Sequence, residues 1–193
     1  MEYINQQEQT NESKFPKTEL REYEQYFFTE SVLAQLTESL KYFNNVLCLC
    51  TPAVADAFYR LHSKEVLCFD IDERFSYLPN FKQCDITKLD SIPIDNDYIP
   101  DVIIVDPPFF KMNLFDLFKC IELITKGNKK TKIVFAFVIR EEKNLLWMFK
   151  EYGLKLTKFK LEYDKVDPSK WSNYGIYANF ETGRIKFVSK GKK

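Results

Sequence analysis

Glycine and histidine are scarce in this sequence. Its 193 residues include five glycines and one histidine, His62, which excludes a metal site built from several histidines. The five cysteines form no CxxC pair, which argues against a zinc module or a disulfide framework and favours reduced thiols in a core. We therefore expect an intracellular protein without a metal ion.

Long apolar runs and an excess of either charge are also missing. No run reaches the ~18 apolar residues of a membrane span, and the N-terminal residues lack the apolar core of a signal peptide. Lysine plus arginine equal aspartate plus glutamate, 28 against 28, so the surface as a whole has no attraction for nucleic acid or an anionic membrane. We expect a soluble, cytoplasmic protein that binds no membrane.

The apolar residues that are present are sufficient for one hydrophobic core. They make up 45% of the chain, which is too short for two well-buried domains. Residues 1–22 are polar, and we predict that they form a mobile tail because they have little apolar surface to bury. Residues 23–193 are then expected to form a single domain.

Short apolar runs alternate with helical patterns over most of this domain. Strands are predicted at VLCLC (46–50), EVLCFDID (65–72), FKQCDI (81–86), DVIIV (101–105) and KIVFAFVI (132–139). Helices are predicted after Thr29, after Pro52, at 114–124 and over EEKNLLWMFKEYG. The segments LKLTKFKLEY, IYANF and RIKFV are predicted to be strands without intervening helices. This order indicates an α/β fold, a doubly wound and mainly parallel sheet ending in an antiparallel hairpin, with ligands at the carboxyl ends of the strands.

Polar residues follow the first three of these strands. Thr51 and Pro52 form the first turn, and Asp70 ends the second strand, where a carboxylate can accept hydrogen bonds from ribose hydroxyls. Asp72 is the reserve candidate for that role. At the end of the third strand, Asp85 could accept from an adenine amino group while the backbone N–H of Ile86 donates to the ring. Together these residues outline an adenosine site, although each aspartate could instead be a helix cap.

The turn after the first strand, LCTPAVADA, contains no glycine. A dinucleotide cofactor requires a glycine-rich turn there, since the backbone must approach a pyrophosphate closely. A pyrophosphate is thus disfavoured, and S-adenosylmethionine, which carries adenosine without phosphate, becomes the predicted cofactor by elimination.

The stretch DVIIVDPPFF, residues 101–110, ends the fourth strand in a carboxylate, two prolines and two aromatic residues. The carboxylate of Asp106 and the carbonyl of Pro107 could accept hydrogen bonds from an amine nitrogen and aim its lone pair at a methyl group, while Pro108 stiffens the turn. Phe109 could cover a base or the aliphatic part of a lysine. The alternative is a strand that ends in a proline turn, with both phenylalanines in the core.

At this point a family resemblance is visible. The Asp-Pro-Pro-Phe motif is similar to the (Asp/Asn)-Pro-Pro-aromatic signature of amino-methyltransferases. The successive blocks EQYFFTESVLAQL, VLCLCTPAVADAF, FDIDERF, DVIIVDPPF and NYGIYANFE resemble the probable N6-adenine methyltransferase family from about Glu24 to Glu181. That family includes the lysine methyltransferase of elongation factor 1-alpha and a zinc-finger-bearing ribosomal RNA adenine methyltransferase. The resemblance implies a class I methyltransferase (Rossmann-like) fold that uses S-adenosylmethionine, with a glycine-poor cofactor loop.

The resemblance leaves three functions open. Methylation of a protein lysine, with elongation factor 1-alpha as the specific candidate, is the first choice because the chain has no Cys/His zinc module and no net positive charge. Adenine in RNA or DNA is the alternative, because it needs no deprotonation and Phe109 could stack on it. The third is an inactive, methyltransferase-like binding subunit. The aromatic residues expected to contact the acceptor are Tyr26, Phe28, Phe110, Trp171 and Tyr174, and the protein is expected to act as a monomer.

Overall fold

The computed structural model describes residues 14–93 and 97–189. Seven strands form one sheet: β1 (Val46–Leu49), β2 (Leu67–Asp70), β3 (Phe81–Gln83), β4 (Val102–Val105), β5 (Lys132–Val138), β6 (Lys155–Leu156) and β7 (Tyr174–Ala178). Four α-helices accompany them: α1 (Glu30–Leu40), α2 (Pro52–His62), α3 (Leu114–Thr125) and α4 (Glu142–Met148).

The strand order is β3-β2-β1-β4-β5-β7-β6. The pairs among β1 to β5 are parallel, whereas β7 pairs antiparallel with β5 and β6 pairs antiparallel with β7. The chain reverses its direction of travel across the sheet between β1 and β4, and such a switch point opens a crevice at the carboxyl ends of the strands. The predicted doubly wound α/β fold with an antiparallel end is confirmed.

Helices cover both faces of the sheet. On one face, α1 and α2 pack against residues of alternate strand positions such as Cys48 and Ile104. On the other face, α3 and α4 pack against the intervening positions, such as Leu49 and Ile103. All four residues of β1 and all four of β4 are buried. This two-sided burial explains why these strands lack an alternating pattern in the sequence.

Local sequence signals determine where the helices begin and end. Thr29 caps α1, since its side chain accepts a hydrogen bond from the Val32 backbone N–H, as predicted. Pro52 occupies the first turn of α2. After α3, Lys126 and Gly127 both adopt a left-handed conformation, which ends the helix.

Several sequence predictions differ from the structure at the chain ends. RIKFV (184–188) makes isolated bridges instead of a strand, and only Lys155–Leu156 of LKLTKFKLEY is a strand. The helix predicted over EEKNLLWMFKEYG ends at Met148, and Trp147 within it has 69% of its surface exposed. The basic KGKK end lies outside the described residues.

Residues 14–22 belong to the stretch predicted to be a mobile tail, and they contact the domain. The Phe15 ring packs edge-on against Phe27 and Phe75. The carboxylate of Glu19 accepts a hydrogen bond of 2.8 Å from the Phe27 backbone N–H. Residues 1–13 of that stretch lie outside the described residues. In the part of the chain that the structure describes, no helix is long and apolar enough to cross a membrane.

Candidate active site

A cavity of about 910 Å³ opens at the carboxyl edge of the sheet. The ends of β1, β2, β4 and β5 and the loop after β3 line it, as the strand order predicts. Most of the site residues predicted from the sequence meet there: Thr51, Pro52, Asp70, Asp85, Ile86, Asp106, Pro107, Pro108, Phe109, Tyr26, Phe28, Phe110 and Tyr174. Asp72 and Trp171 do not line the cavity.

The turn after β1 is made without glycine. Cys50 has a φ angle of 55°, in the left-handed region that favours glycine, and its backbone N–H donates to the Phe69 carbonyl at 2.9 Å. Thr51 is buried, and its hydroxyl donates to the Ile104 carbonyl at 3.3 Å. The hydrogen bonds to β2 and β4 thus hold a tight turn that brings the start of α2 to the cavity.

Asp70 is a buried acid at the end of β2. It is 7% exposed, and burial raises the pKa of its carboxyl to about 7. One of its oxygens accepts a hydrogen bond of 2.8 Å from the Asp72 backbone N–H. The backbone N–H of Ile71 also interacts with this carboxylate and, like that of Asp72, opposes the rise in its pKa. A carboxylate has about four acceptor positions, so ligand hydroxyls in the cavity could still donate to it.

The side chain of Asp72, the reserve candidate for the ribose, is directed elsewhere. Its carboxylate accepts bonds of 2.7 Å from Arg74 Nη2 and 2.9 Å from Gln25 Nε2. Burial alone would raise the pKa of Asp72, but these hydrogen bonds outweigh burial and keep the pKa below its usual range. Asp72 therefore joins the segment before α1 to the residues after β2, and Asp70 remains the candidate for the cofactor.

Asp85 and Ile86 follow β3 at the cavity wall. Asp85 accepts from the Thr87 hydroxyl at 2.6 Å and pairs with Lys88 at 3.1 Å, and the bond from Thr87 contributes most to lowering the pKa of Asp85. Ile86 is buried, and its backbone N–H makes no hydrogen bond within residues 14–93 and 97–189. An N–H donor without a partner beside an ionised acid could meet the edge of an adenine ring.

Asp106 lies at the end of β4, at the centre of the cavity wall. Burial raises the pKa of its carboxyl well above the usual range. No side chain or backbone N–H of the described residues donates to this carboxylate, and none donates to the Pro107 carbonyl. In contrast, the Pro108 carbonyl accepts bonds from the backbone N–H groups of Lys111 and Met112. Two neighbouring acceptors thus face the cavity without donors.

Aromatic rings line the same cavity as these two acceptors. The Phe109 ring lies 5.3 Å from Phe137 and 6.3 Å from Tyr174, and Tyr174 lies 5.1 Å from Tyr163. Tyr163 also contacts Phe28 at 5.1 Å. The rings form a continuous wall that can shield an acceptor group from water.

Phe110 and Trp171 differ from the other predicted aromatic contacts. Phe110 is 78% exposed at the mouth, where the guanidinium of Arg140 lies 6.0 Å from its ring centroid. The indole N–H of Trp171 donates to the Val166 carbonyl at 3.1 Å, and its ring packs on the hydrophobic core. The structure therefore gives Trp171 a packing role outside the cavity and does not bring it to the acceptor.

The sequence analysis missed several residues that line the cavity. Tyr163 lies in a segment interpreted as a plain strand, and Glu24 and Gln25 lie at the boundary of the predicted tail. A tyrosine in an alternating pattern carries no signal of its own, so Tyr163 could not have been found. Among the described residues, no group of three or more His, Cys, Asp or Glu side chains could hold a metal ion.

Comparisons with known proteins agree with this geometry. The model of the probable N6-adenine methyltransferase family matches residues 19–182. No curated protein sequence matches the chain significantly. Among solved structures, a TehB-like SAM-dependent methyltransferase from Corynebacterium glutamicum is 11% identical, with a TM-score of 0.52 over 81% of this chain and 87% of that one.

A second solved structure has the same fold. The precorrin 8w decarboxylase from Methanobacterium thermoautotrophicum is 11% identical, with a TM-score of 0.53 over 83% of this chain and 94% of its own. At such identities the likeness shows the fold alone. The fold is that of class I, S-adenosylmethionine-dependent methyltransferases, as the sequence predicted.

Proposed function

The chain belongs to the probable N6-adenine methyltransferase family, and from that premise we propose that it methylates the amine of a protein lysine. The cofactor of this family and fold is S-adenosylmethionine. Elongation factor 1-alpha is the specific protein that the sequence resemblance suggests. One observation carries the proposal: Asp106 and the Pro107 carbonyl, two acceptors that receive no hydrogen bond from the described residues, line the same cavity as several aromatic rings.

The residues of the cavity fit the ribose and the adenine of the cofactor. The Asp70 carboxylate keeps acceptor positions for the ribose hydroxyls, and the Ile86 N–H, which has no partner among the described residues, is available to the adenine ring. Asp85 can accept from the adenine amino group through the part of its carboxylate that Thr87 and Lys88 do not occupy. The turn of Cys50, Thr51 and Pro52 leaves the cavity without the glycine-rich backbone that a pyrophosphate requires.

The acceptor residues act by positioning. S-adenosylmethionine held in this cavity would supply an electrophilic methyl group to the acceptor nitrogen, and its sulfur would keep the electron pair of the bond that the transfer breaks. Asp106 and the Pro107 carbonyl each accept an N–H of that nitrogen, which leaves its lone pair directed at the methyl group. The two prolines fix this turn, and the new ammonium then loses a proton to solvent.

A lysine must lose a proton before it can attack, since its ordinary pKa is ~10.4. The aromatic wall of Phe28, Phe109, Tyr163 and Tyr174 favours the neutral amine because it removes water from the nitrogen. An ionised Asp106 works against this loss, because it stabilises the cation. However, burial raises the pKa of Asp106 and so favours its neutral form. A neutral carboxyl stabilises the lysine cation less than an ionised one, and therefore opposes deprotonation of the lysine less.

The positions of the basic residues favour a protein over a nucleic acid. The cluster KGNKKTK (126–132) lies at the amino end of β5. Parallel strands have their amino ends at the same edge of the sheet, so the cluster lies at the edge opposite the cavity. Its Lys129 pairs with Glu122 and Glu151, and Lys132 lies over the Phe43 ring. These contacts engage two of the four lysines of the cluster, and the cluster lies away from the cavity, whereas a phosphate backbone needs several cations along one surface beside the site.

Adenine N6 is the second candidate, because the description of the family names it and the flat ring of Phe109 suits a base. Incubation of the protein with a cell lysate and radiolabelled S-adenosylmethionine decides between the two. Half of the labelled material is digested with protease and half with nuclease, and Asp106→Asn serves as the inactive control. We expect protease to release the label. Release by nuclease would favour adenine, and absence of both label and cofactor binding would favour a noncatalytic subunit.

A further inference from the structure

Arg140 is an exposed cation on the lining of the cavity. Among the described residues, its guanidinium forms no ion pair and donates no hydrogen bond. The two acids that follow it in the chain have other partners. Glu141 accepts from the Asn144 side chain at 2.7 Å, and Glu142 accepts from the Tyr177 hydroxyl at 3.0 Å. The positive charge of Arg140 is therefore available to a ligand.

The strand order puts Arg140 on the acceptor side of the cavity. The candidates for the cofactor follow β1, β2 and β3, the acceptor residues follow β4, and β5 lies beyond β4. The last residue of β5, Val138, pairs with Tyr174 of β7. Ile139 then packs closely on Gly175, where a Cβ atom would lie 2.7 Å from the Ile139 Cδ1 atom. The backbone that leads to Arg140 is thus held beside Tyr174.

The guanidinium of Arg140 lies at the ring of Phe110. Its carbon is 6.0 Å from the ring centroid, at the outer limit of a cation–π contact, and the ring is 78% exposed. The loop that carries this ring is fixed by the bond from the Phe110 backbone N–H to the Glu24 carboxylate. A ring contact does not neutralise a guanidinium, and the planar N–H edge of arginine fits the two oxygens of a carboxylate.

Of the described residues that line the cavity, the only other cation is Lys111, whose ammonium contacts the Glu22 carbonyl. We propose that Arg140 and Phe110 form a subsite for a carboxylate of the substrate protein, an aspartate or glutamate beside the target lysine. One guanidinium at the mouth suits a single carboxylate, whereas a phosphate backbone needs several cations in a row. This inference rests on the proposed lysine specificity and adds the chemistry of the neighbouring residue.

The methionine part of S-adenosylmethionine also carries a carboxylate. The candidates for the cofactor lie on the other side of β4 from Arg140, so this carboxylate belongs to a different part of the cavity. We expect Arg140→Gln to change the affinity for S-adenosylhomocysteine less than about twofold in calorimetric titration. A larger loss would assign Arg140 to the cofactor and overturn the inference.

Three variants separate the charge of Arg140 from its shape. Arg140→Gln removes the charge, and Arg140→Lys keeps the charge without the planar N–H edge. Lys143→Gln is the matched control, because Lys143 is an exposed cation three residues further on that does not line the cavity. All three variants should keep the melting temperature of the wild type, since both side chains are exposed.

The first readout is the sequence around the labelled lysine. Lysate protein is methylated with trideuteromethyl S-adenosylmethionine, and the labelled peptides are located by mass spectrometry. We expect an aspartate or glutamate within about three residues of the labelled lysine, since three extended residues span ~10 Å. A labelled lysine without an acid in this range overturns the inference. Label on adenosine in place of lysine would overturn the proposed function itself.

The second readout is the coupling between the two charges. The labelled protein is produced with its acid changed to the amide, and kcat and KM are measured for both forms with the wild type and with Arg140→Gln. We expect either change alone to raise KM at least about fivefold with kcat within about twofold, and the second change to add little, as for groups in direct contact. Arg140→Lys should recover part of the loss, and Lys143→Gln should match the wild type. Additive or absent effects would contradict the subsite and leave lysine methylation standing.

Discussion

The backbone N–H of Phe110 donates a hydrogen bond of 2.9 Å to the side chain of Glu24. This bond joins the segment that precedes α1 to the loop that follows Asp106 and the two prolines. Nearby, the ammonium of Lys111 contacts the Glu22 carbonyl. Gln25 anchors the same segment to Asp72, which follows β2. The residues before α1 therefore cross the mouth of the site.

Loss of the Glu24 side chain should disturb this crossing segment without unfolding the domain. We expect Glu24→Ala to raise the KM for the acceptor by about threefold to tenfold, because one hydrogen bond at the mouth contributes about 1 kcal/mol. The change in melting temperature should be small, since the bond is exposed. Steady-state kinetics with Glu22→Ala as control provides the check, because the Glu22 contact uses the backbone carbonyl and survives that substitution. Equal effects of the two variants would contradict the account.

Cofactor affinity should depend on pH through Asp70. Its carboxyl has a pKa of about 7 in the free protein, and only the ionised form accepts hydrogen bonds from both ribose hydroxyls. Affinity should therefore be full above pH 8 and about tenfold weaker at pH 6. Calorimetric titration with S-adenosylhomocysteine at each pH measures this affinity.

Two variants test the assignment of that pH dependence. Asp70→Asn should bind more weakly, with a flat pH profile over this range. Asp72→Asn should keep a pH dependence but move it to lower pH, because the Asp72 charge adds to burial in raising the pKa of Asp70. It should also lower the melting temperature, since it removes the ionic partner of Arg74. A flat profile in the wild-type protein would show that Asp70 does not contact the cofactor.

Asp70 should also make the free protein less stable as the pH rises. The folded-state pKa of about 7 lies above the ordinary value of 3.8, so between these values the folded protein binds more protons than the unfolded chain. The free energy of unfolding should then decrease from about pH 4 to pH 7, by at most about 4 kcal/mol from this group. Asp106 acts in the same direction.

Urea unfolding of the wild type and Asp70→Asn at pH 5 and pH 8 tests this sign. The variant should gain stability relative to the wild type at pH 8, where the wild type carries a buried charge, and the gain should shrink at pH 5. A gain that is larger at pH 5 would contradict the raised pKa.

The sequence was sufficient for the parallel half of the fold. Strands β1 and β4 are continuous apolar runs bounded by polar turns, and Thr29 and Pro52 carry local signals for the start of a helix. The antiparallel end was harder to predict. RIKFV has the composition of a strand but makes only isolated bridges, because pairing depends on the partner that the fold supplies.

Where topology alone brings residues together, the sequence was sufficient to predict which of them line one cavity. Asp70, Asp85 and Asp106 follow parallel strands, so their meeting at one edge follows from the strand order. Asp72 and Trp171 were assigned by residue type, and the structure instead gives both of them local partners, Arg74 and Val166. Such local partners depend on side-chain packing, which sequence pattern does not specify.

The central claim is that Asp106 holds the acceptor nitrogen and does not hold the cofactor. Asp106→Asn is compared with Asp101→Asn, which alters an acid at the other end of the same strand, where it accepts from the Asn45 backbone N–H. Methyl transfer from radiolabelled S-adenosylmethionine to lysate protein is measured beside cofactor affinity. We expect Asp106→Asn to lose at least about a hundredfold in methyl transfer, with cofactor affinity within about threefold of the wild type, and Asp101→Asn to transfer normally. Unchanged transfer by Asp106→Asn would contradict the account.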